Sequence, residues 1–204
     1  MSLEQFLEEL RAPQGAPGGG AASAMAGAMG CALFQMVAGV TASLPRFAAN
    51  KDKLEQIHSR SENLYFSLLA LTEKDTNAYK QVESALKMPK NTSEEKTARR
   101  QAMQCAFRTA TEIPLQVVAA SLEAMSLVPD LLKYGNPNAI TDVCVGVFLL
   151  DTAVRGASVN AKINLASIKD EEFKSQCSEK LKSAETDLSK YMEQLKQAME
   201  QAGL

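Results

Sequence analysis

The sequence predicts an all-α fold, an elongated bundle of about five to seven helices. Three observations carry this. Apolar residues recur by threes, fours and sevens along most of the 204 residues. Runs that alternate apolar and polar residues are too short for a sheet. Capping residues and prolines punctuate the chain where helices should start and stop.

The elements follow in order. Ser2-x-x-Gln5 is a capping box for a short first helix that ends near Arg11. Pro17-Gly18-Gly19-Gly20 then opens onto a small-residue run, read as a second helix from about Ala21 to Ala42, with Pro45 as its stop. Asn50 can cap a third helix whose apolar face carries Leu54, Ile57, Leu64, Leu68, Leu71, Ala78 and Val82 and which ends before Pro89. Thr92-x-x-Glu95 caps a fourth that runs towards Val128, with Pro114 inside it as an expected kink. A short segment, Pro129 to Tyr134, ends at Gly135. A further helix starts near Asn138 and reaches about Leu165. The last, Asp170 to Ala202, is charged, with a thin stripe of Phe173, Cys177, Leu181, Leu188, Met192 and Leu195. With no repeat and no low-complexity linker, residues 1–204 read as one domain.

Composition excludes several classes. The net charge is −2 with both signs interspersed, so the electrostatic footprint of a nucleic-acid binder is absent. Glu4, Glu8 and Glu9 precede the apolar run, unlike the basic start of a secretory signal. The run from Ala21 to Thr41 has the length of a membrane span. It is built of Ala and Gly rather than Leu, Ile and Phe, and contains Ser23 and Gln35, so it reads as a core helix with no membrane partner. Four scattered cysteines form no Cys-x-x-Cys pair. Cys31, Cys105 and Cys144 read as core residues and Cys177 as a surface one, all reduced in a cytoplasmic protein. A single histidine, His58, reads as a boundary residue and leaves neither a zinc site nor a Ser-His-Asp triad.

Small residues need a cause. Ser23, Gly27 and Cys31 lie four apart, as do Ala24, Ala28 and Ala32; Gly146, Ala153, Gly156 and Ala157 form a similar row. Such rows let helix backbones approach closely, either within one chain or across a dimer interface.

Candidate chemistry begins at the glycines. Three in succession allow positive φ and a bare backbone, and the helix that follows presents free N–H groups and a positive dipole end. An anion or flat polar ligand could approach there; the alternative is a plain hinge. Neither a Walker loop nor a dinucleotide fingerprint is present. Asp75 follows Leu68 by seven and Leu71 by four, which places a carboxylate on an apolar face. Burial would raise its pKa towards the range useful for proton transfer. The structural alternatives are pairing with Lys74 or Lys80, or a hydrogen bond to a neighbouring helix end. Asn138 or Thr141 can cap a helix with Asp142 in its first turn. Asp151 and Arg155 are spaced for an intrahelical pair. Asn160 and Asn164, also four apart, could read a heterocycle edge or bond between helices.

Four motifs then occur in order: Pro17-Gly18-Gly19-Gly20-Ala-Ala-Ser23-Ala, Glu73-Lys-Asp75-Thr-Asn-Ala-Tyr79, Gly135-Asn136-x₄-Thr141-Asp142, and Gly156-Ala-Ser-Val-Asn160-Ala-Lys-Ile-Asn164-Leu165. In this order they resemble the cyclodeaminase/cyclohydrolase family, the C-terminal half of formiminotransferase-cyclodeaminase, which also occurs as a stand-alone methenyltetrahydrofolate cyclohydrolase. The resemblance implies an all-helical homodimer that handles folates without metal or bound cofactor, a tetrahydrofolate derivative being the substrate. It implies proton transfer by Asp75 and substrate binding by Gly18, Gly19, Gly20, Ser23, Asn136, Asp142, Asn160 and Asn164. Thr141 and Ala21 stand where Ser is common, and no attached formiminotransferase half is expected. The reaction is either hydrolysis of methenyltetrahydrofolate or cyclisation of formiminotetrahydrofolate with loss of ammonia. The rival reading is a non-catalytic helical dimerisation or interaction module.

Overall fold

The computed structural model describes residues 2–204 and is all-helical: among them there is no strand. The α-helices are α1 (Leu3–Arg11), α2 (Gly19–Ser43), α3 (Lys51–Lys87), α4 (Ser93–Met125), α5 (Val128–Tyr134), α6 (Ile140–Leu165) and α7 (Glu171–Ala202), with short 3₁₀ turns before α3 and α6. Both capping boxes form as the sequence predicts, Ser2 with Gln5 and Thr92 with Glu95. Asp170 caps α7 by accepting from the Phe173 N–H. Asn50 does not cap α3 and Asn138 and Thr141 do not cap α6; 3₁₀ turns led by Pro45 and Pro137 bring the chain into those helices instead.

The core is an antiparallel arrangement of α2, α3, α4 and α6, each packed on the next and α6 closing back on α2. The pairings of Gly20 with Asp75, Gly27 with Leu68 and Gly39 with His58 set α2 against α3. His58 is half-buried there, the boundary residue its context predicts. Phe34, Leu68, Val117, Met125, Val147 and Leu150 fill the centre, all essentially inaccessible to water. Helix α7 lies over α4 and α6. The buried Phe6 of α1 shares a groove with Met25, Tyr65 and Leu69.

The small-residue rows are used within the chain. A methyl on Gly30 would sit 2.8 Å from the Gly146 carbonyl oxygen, and one on Gly146 would sit 2.6 Å from the Phe34 ring. A methyl on Gly27 would stand less tightly, 3.1–3.2 Å from Ser121, Ala153 and Leu68. Helices α2 and α6 therefore pack closely along their length, which is why Ala and Gly replace larger apolar residues. By length and composition α2 and the stretch 93–134 could each cross a membrane. In the fold α2 is packed against both α3 and α6.

Three expectations are corrected. Positive φ is found at no glycine of the triplet: Gly18 is extended, and Gly19 and Gly20 are the first two residues of α2. What Gly20 supplies is an absent side chain. Cys177 is buried, because it lies on the Phe173–Cys177–Leu181 stripe that packs against Phe107 and Leu115 of α4. Cys105, on the outer face of α4, is exposed. The Cys31 thiol, deep in the core, is pushed up to about 12 by burial and is not a nucleophile at neutral pH.

Candidate active site

At one end of the bundle, the first turn of α2 meets the middle of α3. No side chain caps α2, since its N-cap is Gly18. Asp75 of α3 lies against that first turn from outside, its carboxylate packed on Gly20 beside the Ala21 backbone N–H. Two opposed effects act on this acid. The N–H and the positive end of the α2 dipole favour the anion. Burial favours the neutral form and outweighs the hydrogen bond, so the pKa of Asp75 lies above its ordinary 3.8. Among the described residues no ion pair involves Asp75. The pairing with Lys74 or Lys80 is therefore not made, and the carboxylate faces the start of α2 instead.

Gly20 is what lets the carboxylate arrive. A methyl there would lie 2.6 Å from Cγ and Oδ2 of Asp75. Gly19 is exposed, and a methyl on it would stand 3.5 Å from Nδ2 of Asn160 on α6. Asn160 itself donates to the Gly156 carbonyl. Gly156 in turn leaves room for Ser23, which is buried and donates to the Gly19 carbonyl at 2.7 Å. The structure thus gathers Gly18, Gly19, Gly20, Ser23, Asp75 and Asn160 at one place, with Ser23 acting from inside the wall.

Three candidates stand elsewhere. Asn164 is half-buried one turn beyond Asn160, and its amide donates to the Ala110 carbonyl of α4 at 2.6 Å. Asn136 lies past the far end of α2, where its N–H donates to Thr41 Oγ1 and its side-chain oxygen accepts from Arg46 and Asn138. Asp142 follows in the first turn of α6. Thr41 is 21 residues beyond Gly20, so these two lie about 30 Å from Asp75 in the same chain. Asp151 and Arg155 form the expected intrahelical pair at 2.7 Å.

Two participants were not singled out from the sequence. Ala21 lacks the hydroxyl of the usual Ser, yet contributes its N–H. Tyr79, one turn after Asp75, is partly exposed, and the loop between α1 and α2 lies on its ring: a methyl on Gly15 would fall 2.7 Å from Cζ. The Asp-x-x-x-Tyr spacing, which sets both on one helix face, is the signal that could have found it. Among the described residues no three His, Cys, Asp or Glu side chains converge as a metal site would require.

The arrangement offers a half-buried carboxylate beside a bare helix N-terminus and an amide. It can move a proton and orient a polar heterocycle. Comparison with known proteins points the same way. The model of the formiminotransferase-cyclodeaminase family matches residues 2–183. A methenyltetrahydrofolate cyclohydrolase from Methylorubrum extorquens is 35% identical over 84% of this chain and 83% of its own length. The formimidoyltransferase-cyclodeaminase of Rattus norvegicus is 32% identical over 85% of this chain, which spans 32% of that longer protein. The crystal structure of formiminotetrahydrofolate cyclodeaminase from Thermotoga maritima superposes with a TM-score of 0.89 at 27% identity, covering 100% of this chain and 98% of that one. With the family model, the relatives and the fold in agreement, this chain belongs to the formiminotransferase-cyclodeaminase family.

Proposed function

We propose that this protein is a folate one-carbon enzyme that hydrolyses methenyltetrahydrofolate to formyltetrahydrofolate. The observation that carries the chemistry is the half-buried Asp75 carboxylate, in no ion pair, at the bare start of α2. Water adds to the cationic methenyl carbon and gives up a proton to Asp75. One of the two C–N bonds of the tetrahedral adduct then breaks as its nitrogen takes a proton. The products are a formyl group on the other nitrogen and one proton in excess. General acid–base help of this kind is worth about 10²–10⁴-fold. Orientation against Gly19 and Asn160 supplies more. The cyclohydrolase reading is favoured by the relative at the higher identity, matched over 84% of this chain and 83% of its own length. Cyclisation of formiminotetrahydrofolate, in which a folate nitrogen attacks the formimino carbon and ammonia leaves, is the second reading, favoured by the structural neighbour.

Folate is substrate here, with no resident cofactor or metal, and the four free cysteines suit a reducing, cytoplasmic setting. Purified protein is expected to bleach the methenyl chromophore, with turnover unchanged by a chelator. Ammonia release from formiminotetrahydrofolate without methenyl hydrolysis would select the second reading. Inactivity on both folates would leave the interaction module.

The same reading includes a homodimer. Val145, Phe148, Val159 and Ile163 of α6 and Met29, Met36 and Val40 of α2 are apolar and exposed. Isolated exposed apolar residues are ordinary, but two adjacent stripes suit a protein interface. An antiparallel pairing of two copies on this face would bring the Asn136–Asp142 end of one subunit towards the Asp75 end of the other. That would account for both sets of motif residues serving one site.

A further inference from the structure

Helix α4 contains Pro114 yet runs unbroken from Ser93 to Met125. Proline has no N–H, so the carbonyl four residues earlier, that of Ala110, has no intrahelical donor. Ala110 is buried, and an unsatisfied carbonyl in such a place is costly. The amide of Asn164 donates to this oxygen, at 2.6 Å. One polar side chain on α6 thus fills the vacancy that a proline makes on α4. Asn160, one turn earlier on α6, meets Gly19 at the start of α2.

We propose that Asn164 is a positioning residue: its bond to the Ala110 carbonyl pins α6 to α4 and fixes the height at which Asn160 faces Gly19. This moves Asn164 from the ligand wall to the frame behind it. The kinetic part of the inference rests on the folate reading above, whereas the pinning itself does not.

A double-mutant cycle between Asn164→Ala and Pro114→Ala tests it. Alanine at 114 restores the N–H that the Ala110 carbonyl lacks. Asn164→Ala alone is expected to lower Tm by roughly 5 °C, as one orphaned buried acceptor should in a chain of this size. In the Pro114→Ala background the same change should cost little. Equal losses in both backgrounds would overturn the pinning.

Kinetics at a temperature where all variants are folded then read the positioning. The double variant should keep wild-type stability but lose about 10–100-fold in kcat/KM, mostly through KM, because a displacement near 1 Å is enough. A double variant as stable and as active as Pro114→Ala alone would overturn the positioning role. If the wild type turned over neither folate while the stability coupling persisted, the folate reading would fail and the pinning would stand.

Discussion

Asp75 and Gly20 fit together because Gly20 has no side chain: a methyl there would lie 2.6 Å from the Asp75 carboxyl carbon. The contact lets α3 supply the N-terminal cap that α2 does not encode for itself. It also holds the acid against a backbone N–H in a partly dehydrated place. One glycine thereby links helix capping, close packing and the candidate chemistry.

Gly20→Ala is therefore expected to displace the carboxylate. Overpacking of this kind costs about 1–3 kcal/mol. Displacement of a reacting group by about 1 Å costs up to about 10²-fold in rate. Gly19→Ala, which meets only an ordinary contact at 3.5 Å from the Asn160 amide, should leave stability nearly unchanged. Denaturant unfolding and turnover of the two variants side by side check this. Equal stability of both would show that the Asp75 contact yields easily.

The α2–α6 packing makes a separate prediction. A methyl on Gly30 would meet the Gly146 carbonyl, part of a backbone that cannot rotate away as a side chain can. Gly30→Ala should lose at least about 1–3 kcal/mol despite the better helix propensity of alanine. A variant as stable as the wild type in denaturant unfolding would mean that the two helices can part at little cost.

Association can be probed at Ile163, whose relative exposure is 68%. Ile163→Glu places a charge in the proposed interface while leaving the chain's own core untouched. The wild type should sediment as a dimer at micromolar concentration and the variant as a monomer with the same helix content. A monomeric wild type would remove the homodimer from the reading.

Much of this was legible in the sequence because helices announce themselves locally. The capping boxes at Ser2 and Thr92 and the apolar face of α3 depend on residues within a turn or two of each other. Asp75 was visible for the same reason, as a carboxylate out of place on that face. What escaped depends on a partner helix. Nothing near Asn164 signals that it serves a proline 50 residues earlier. Cys105 and Cys177 lie on the opposite sides from those their contexts predict, because neighbours in sequence misstate which face of α4 or α7 is covered. The glycine triplet suggested unusual dihedrals, whereas the fold uses Gly20 for its missing methyl, a need set entirely by α3. Asn136 and Asp142 share a motif order with Asp75, yet the length of α2 separates them.

Asp75→Asn separates catalysis from capping. Asparagine keeps the volume and still presents an oxygen to the start of α2, while the titrating group is lost. The sign of the stability change follows from the raised pKa. A fold that raises the pKa of an acid favours its protonated form. That contribution is full below the unfolded value, near 3.9, and is lost as pH rises through the folded value. At neutral pH the ionised side chain therefore lowers stability, and a neutral amide should hold or raise Tm. The advantage of the variant should shrink as pH falls through the raised folded value and be gone below about pH 4. Turnover runs the other way: the base must be ionised, so wild-type kcat should fall as pH drops through a pKa above the ordinary aspartate range. In the variant, turnover should be about 10²–10⁴-fold lower with that acid limb gone. Folate binding and helix content should persist. A variant that unfolds more easily at neutral pH, yet turns over normally per folded molecule, would make Asp75 a cap and nothing more.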